Sequence, residues 1–293
     1  MNRNELIKQI RDKQSYLCVG LDTDIEKIPD HLKSGVDAVF EFNKQIIDAT
    51  KDLCVAYKIN TAFYEAQGVK GWEALEKTAA YIPSTHFKIA DAKRGDIGNT
   101  SNQYAKAFFE TIPFDAITVA PYMGSDSVKP FLDYEDRWAI VLGLTSNKGS
   151  QDFEQQQIMP EGIGLVTEPP ERYSSYESFD AVYLYQKVIF EVKKWGTKEN
   201  LMFVVGATKA DDIASIRKII PDHFLLIPGI GAQGGNLAEV SRNGLNKDCG
   251  LLVNVSRGII YAGNKENFAE EARKIALQYQ REMKSHVSNI FGF

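Results

Sequence analysis

What this 293-residue chain has little of excludes several classes of function before any motif is read. Its 34 Lys and Arg are outnumbered by 39 Asp and Glu, for a net charge of −5, and the basic residues form no concentrated stripe. A nucleic-acid-binding surface is therefore not expected, and a small anionic ligand would need locally focused positive groups. Only three cysteines occur, Cys18, Cys54 and Cys249, far apart and each inside an apolar run. There a thiol behaves as a small hydrophobe, and the spacing offers no disulfide framework, as expected of reduced core residues in a cytoplasmic protein. The four histidines, His31, His86, His223 and His286, make no short-range cluster with cysteine or carboxylate, so no metal site is expected. No apolar stretch approaches the length of a membrane span, and the charged segment 1–13 lacks the apolar centre of a signal peptide. No Pro/Gly-rich linker or shift of composition divides the chain, which points to one domain over 1–293.

What is present is an alternation. An apolar content of 44% with 25% charged residues allows a sizeable core. After a polar opening helix over 4–13, apolar runs at 16–21, 54–59, 87–90, 114–120, 138–144, 201–205, 224–227 and 251–255 read as eight strands, with helical patterns between them and a last helix over 265–284. Parallel strands buried on both faces read as such unbroken runs. The expected fold is α/β: a single (β/α)8 TIM barrel with an N-terminal helix. An open, doubly wound sheet shares the alternation, because periodicity does not show closure. Between Thr145 and Ser178 the pattern lapses into Ser, Asn, Gly, Gln, Glu and Pro. That is long for a connection, and the insertion after strand five, about 146–178, is either a surface segment or an active-site lid.

Three consecutive strands end in charge. Strand one leads into Asp22 and Asp24, strand two carries Lys58 inside its apolar run, and strand three runs into Asp91-Ala92-Lys93-Arg94-Gly95-Asp96. Lysine is rarely buried unless paired. Side chains at i and i+2 of a strand share a side, so Asp91 and Lys93 converge on one volume. A lone D-x-K-x-x-D is as readily an ion pair as a site, but in a barrel the strand C-termini share one face, where charges of alternating sign can hold one another ionised. Gly95 permits a tight turn, and Asn99 or Thr100 is expected to cap the helix that follows.

The loops after strands seven and eight read Pro228-Gly-Ile-Gly-Ala-Gln-Gly-Gly235 and Val255-Ser256-Arg257-Gly258. The G-x-G-x-x-G spacing resembles a dinucleotide fingerprint, yet only one strand follows it and no acidic residue ends that strand. A phosphate cradle suits these loops better, with backbone N–H groups freed by glycine, Gln233 as a neutral donor and Arg257 as a charged fork. A plain tight turn is the remaining reading.

The strand-three DAKRGD, the lysine on strand two, PGIGAQGG and VSRGIIYA together resemble the orotidine 5′-phosphate decarboxylase family, in its longer subgroup with an insertion after strand five. The resemblance covers Asp22 to Tyr261. It implies decarboxylation of orotidine 5′-monophosphate to UMP without metal or organic cofactor, with a nucleotide as the only small-molecule partner and a homodimer with shared sites. It implies that Lys93 protonates C6, that Asp91 faces the departing carboxylate, and that Lys58 and Asp96 complete an alternating array. In the family Asp96 and Thr100 come from the partner subunit. Asp22 would bind ribose, Ser146 the pyrimidine edge, and Gln233, Gly235, Ser256 and Arg257 the phosphate. Two other readings share part of the pattern: barrels with the same D-x-K-x-x-D that bind Mg²⁺ and act on sugar phosphates, and a non-catalytic phosphate-binding barrel, for which the strand-three charges would be an unexplained cost.

Overall fold

Runs too apolar to face water on either side find neighbours on both edges and close on themselves. The computed structural model describes residues 1–158, 182–231 and 234–292. In it β1 (Leu17–Gly20), β2 (Ala56–Asn60), β3 (Phe87–Arg94), β4 (Ala116–Val119), β5 (Trp138–Leu144), β6 (Leu201–Val205), β7 (Phe224–Pro228) and β8 (Leu251–Val255) form a closed parallel barrel in chain order. Leu17 pairs with Val253 and Val19 with Val255, which joins β8 back to β1 and excludes the open sheet. Parallel neighbours need crossovers, supplied here by α2 (Ala38–Thr50), α3 (Val69–Tyr81), α4 (Gly98–Lys106), α5 (Ser125–Leu132), α6 (Leu184–Val192), α7 (Ala210–Ile219) and α8 (Leu237–Gly244), with α9 (Phe268–Phe291) last. The core lies within the barrel and between strands and helices, where Tyr57, Phe87, Trp138, Phe203 and Phe224 are fully buried.

The opening helix α1 (Arg3–Lys13) starts in a capping box, Glu5 N–H donating to Asn2 Oδ1 at 3.0 Å and Asn2 N–H to Glu5 Oε2 at 2.8 Å. It lies across the N-terminal end of the barrel. There the buried Arg3 donates to the carbonyls of Lys198 and Asp222 at 2.8 and 2.7 Å and to Asp248 Oδ2 at 2.9 Å, joining the loops before β6, β7 and β8.

The crossovers depart from expectation in three places. Neither Asn99 nor Thr100 caps α4, which begins after Ile97 without a side-chain cap, because Gly98 at φ +49° already turns the chain. The helix then widens into a π turn over Ala107–Thr111, where Ile112 N–H donates to the Ala107 carbonyl at 3.0 Å, and the adjacent Phe108 and Phe109 both become buried. The insertion is not wholly irregular: after a short 3-10 turn (Lys148–Gln151), Gln157–Ile158 pairs antiparallel with Val182–Tyr183. The rest of the expected insertion, up to 178, lies outside the described residues. Among the described residues no helix is long and apolar enough to cross a membrane.

Candidate active site

The C-terminal ends of the barrel strands open onto a cavity of about 290 Å³. Asp22, just past β1, sits on a gripped backbone: Tyr64 Oη–H donates to the Leu21 carbonyl at 3.0 Å and Tyr261 Oη–H to the Asp22 carbonyl at 3.1 Å. Burial pushes the Tyr261 phenol up to about 12, so it keeps its proton. Gly20 is required by the same approach, since a Cβ there would lie 2.6 Å from Ser256 Cβ. Asp24 points away from the cavity, to Lys27.

Lys58, on β2, is 3% exposed. Its ammonium donates to Asp22 Oδ1 at 3.0 Å and to Asp91 Oδ2 at 2.8 Å. Burial alone would push its pKa down, but the two carboxylates outweigh burial and hold it above the ordinary lysine range. Asp91 is the mirror case. Burial favours the neutral acid, yet Lys58 and Lys93 hold its carboxyl well below the usual carboxylate range. Lys93 Nζ lies 2.6 Å from Asp91 Oδ1 and, half exposed, faces the cavity.

Asp91 and Lys93 do share a side, though not by simple alternation. Between the register pairs Ala90–Ile117 and Arg94–Val119, β3 advances four residues while β4 advances two. The surplus bulges toward the site, and Lys93 takes a left-handed φ of +46°, uncommon for a residue with a side chain. Beyond it Arg94 pairs with Glu65 and lies over the rings of Tyr104 and Phe108 at 5.2 and 5.5 Å, anchoring the end of the bulge.

Across the cavity stand Thr145, Ser146 and Asn147 after β5. Glu154 holds that turn, accepting from the Thr145 N–H at 2.7 Å and from its hydroxyl at 2.8 Å. Leu142, Val204, Leu226 and Ile230 make an apolar wall, and Pro228, Gly229, Ser256 and Arg257 complete the lining. Ser256 Oγ is buried there without a hydrogen-bond partner, and Arg257 has no carboxylate partner among the described residues. Gly229, Gly231 and Gly234 adopt φ of +101°, +71° and +87°, and three of the described N–H groups are spent within the loop. Gly231 N–H donates to the Gly235 carbonyl, Gly234 N–H to that of Gly231, and Gly235 N–H to that of Gly229. Gly235 packs against Ala207 and does not line the cavity. Gln233 lies outside the described residues.

The structure thus gathers Asp22, Lys58, Asp91, Lys93, Ser146, Ser256 and Arg257 around one cavity, and within this chain leaves out Asp96 and Thr100. Asp96 Oδ1 accepts from the Ile97 N–H at 2.8 Å, on a rim that exposes Ile97, Tyr122 and Met123. Asn60, two residues after Lys58, also lines the cavity and was legible by the same alternation that marked Asp91 and Lys93. Thr145, Asn147 and Tyr64 carry no sequence signal of their own, and Tyr261 entered only as part of the VSRGIIYA motif. Among the described residues no three His, Cys, Asp or Glu side chains converge as metal ligands. Lys58 itself sits between Asp22 and Asp91, where a divalent cation would bridge them.

Comparison with known proteins agrees with this geometry. The sequence model of the orotidine 5′-phosphate decarboxylase / HUMPS family matches residues 15–168. The orotidine 5′-phosphate decarboxylase of Bacteroides fragilis is 52% identical over 293 residues, covering 99% of this chain and all of that one. That of Christiangramia forsetii is 54% identical with the same coverage. Among solved structures, the OMP decarboxylase of Leishmania donovani superposes with a TM-score of 0.74 at 34% identity, over 96% of this chain and 99% of that one. With most of its length matched at this identity, and with the charged strand ends of the barrel in place, the chain belongs to the orotidine 5′-phosphate decarboxylase family.

Proposed function

We propose that the chain converts orotidine 5′-monophosphate to UMP and CO₂, the last step of de novo pyrimidine nucleotide synthesis, using its own side chains and no metal or organic cofactor. The observation that carries this reading is that the Asp22–Lys58–Asp91–Lys93 array and Arg257 line one cavity. That combination of groups suits a ligand that carries both a reacting carboxylate and a phosphate.

Loss of CO₂ breaks the bond from C6 to the carboxylate carbon and leaves its electron pair on C6. An ammonium already fixed beside that atom stabilises the charge as it forms. Lys93 has this place: its Nζ–H gives C6 the proton that replaces CO₂, and the resulting amine recovers a proton from solvent. Asp91, held ionised by two cations, meets the substrate carboxylate as a like charge that disappears when CO₂ leaves. Lys58 orients Asp22 and keeps Asp91 ionised and oriented. Asp22 is within reach of ribose hydroxyls, Ser146 of the pyrimidine edge, and Arg257 and Ser256 of the phosphate, with Gln233 as a further donor.

The same reading includes a homodimer in which Asp96 and Thr100 serve the neighbour's cavity. Their absence from the cavity of their own chain supports this, as do the exposed Ile97, Tyr122 and Met123 on the same rim. The test of function is direct: purified protein in EDTA should abolish the ultraviolet absorbance of orotidine 5′-monophosphate and yield UMP. Activity only on adding Mg²⁺ would move the chain to the metal-dependent sugar-phosphate barrels, and phosphate binding without turnover to a binding role.

A further inference from the structure

We propose that Thr118, on β4, is a positioning residue that sets the mutual geometry of Asp91 and Lys93; its kinetic consequences rest on the decarboxylase reading above. Thr118 is 1% exposed and does not line the cavity, so it touches no substrate. It lies opposite the bulge of β3, between the positions paired with Ala90 and Arg94. In a regular ladder the Lys93 N–H would find a carbonyl of the neighbouring strand. Here it donates to Thr118 Oγ1 at 2.9 Å, and Thr118 donates its own proton to Asp91 Oδ1 at 3.0 Å.

The direction of this relay is fixed. A backbone N–H can only donate, so the hydroxyl must accept from it and spend its proton elsewhere. The acceptor within reach is a carboxylate oxygen that also receives Lys93 Nζ at 2.6 Å. One hydroxyl therefore closes a ring from the Lys93 backbone through Thr118 and Asp91 to the Lys93 ammonium. It satisfies the N–H left over by the bulge, holds a left-handed φ of +46° that a lysine seldom adopts, and fixes the rotation of the Asp91 carboxylate. Valine has the shape of threonine and neither hydrogen-bonding function. In its presence the Lys93 N–H loses its acceptor beside a buried side chain, and relaxing it moves the ammonium.

The test compares wild type with Thr118→Val, Thr118→Ser and Thr118→Cys for kcat, KM, affinity for UMP and melting temperature. Thr118→Val is expected to lose about 10- to 100-fold in kcat, the size of effect that an orphaned buried donor produces. KM and the Kd of UMP should stay within about threefold, and Thr118→Ser should return to within about threefold of wild type. Thr118→Cys, a weak donor of nearly unchanged size, covers the case in which valine is not accommodated, and is expected about 10-fold slow at near-native melting temperature. Wild-type kcat in Thr118→Val or Thr118→Cys, or a serine variant as slow as valine, overturns the proposal. If wild type itself is inert toward orotidine 5′-monophosphate, the functional reading fails separately. A crystal structure of Thr118→Val then decides: Lys93 leaving its positive φ supports the role, and Lys93 unmoved refutes it.

Discussion

Lys58 remains an ammonium at 3% exposure because two carboxylates lie within 3.0 Å of it, so the charges at the barrel mouth have to be considered as a set. Lys93 is the member that removal should harm least structurally, being half exposed. Lys93→Ala is expected to fold and to bind UMP while losing more than about a hundredfold in kcat, as removal of both a cation and a general acid demands; a smaller loss would give the proton to another group. Arg257→Ala should act on the phosphate instead, lowering kcat/KM for the nucleotide by about ten- to a hundredfold. The phosphate-free nucleoside should be turned over unchanged, and an equal loss for both would place Arg257 away from phosphate. At the opposite end of the barrel, both ring nitrogens of His223 are buried beside Phe203 without hydrogen-bond partners among the described residues. Burial first, then Arg3 and Arg217, push its pKa down from 6.5 to about 4, and burial and Lys13 bring His86 to about 4 as well. The unfolded chain therefore binds more protons than the folded one between those values, so stability is lost as pH falls from about 6.5 toward 4. His223→Phe, which leaves no unpaired nitrogen beside Phe203, is expected to raise the melting temperature at pH 5 more than at pH 8, and parallel profiles would clear His223 of the effect. Charge was the legible part of the site: Asp22, Lys58, Asp91 and Lys93 stood out as costly residues at the ends of apolar runs. Thr118 did not, because a threonine within a strand is what β propensity supplies anyway.

Among the elements, the eight barrel strands were readable because each is built on a short, mostly apolar run, and the ribbon after β5 was not. Two-residue strands that include exposed Gln157 and Tyr183 have no period to detect. The ribbon nevertheless makes the insertion separable from the barrel. Ile158 and Val182 are register partners, so a short hairpin turn can join them in place of residues 159–181. Such a deletion is expected to leave far-UV circular dichroism and melting temperature near wild type and to reduce turnover if the excised segment covers the substrate. Full activity after excision would make the segment a bystander. The π turn that follows α4 was equally invisible, since it answers to the burial of Phe108 and Phe109, a tertiary demand.

For the whole molecule, alternation alone did not distinguish a closed barrel from an open sheet; the pairing of Leu17 with Val253 does. Nor could it show that Asp96, three residues from Lys93, turns out of its own cavity. If Asp96 serves a neighbour, Lys93→Ala and Asp96→Ala should each be nearly dead alone, whereas a mixed dimer collects both lesions in one site and leaves the other intact. Co-refolded heterodimer, verified by mass, should show about half the wild-type activity per dimer; continued inactivity would return Asp96 to its own subunit. The tie made by Arg3 has a temporal side. Arg3 and Asp248 are 245 residues apart, and the other carbonyls Arg3 reaches precede β6 and β7. A chain leaving the ribosome therefore carries a guanidinium without its full set of partners until Asp248 has been made, and a first strand with one vacant edge until β8 follows. The first strand made is the last to be enclosed, so premature termination anywhere before β8 leaves a sticky parallel edge that a chaperone or a protease must deal with.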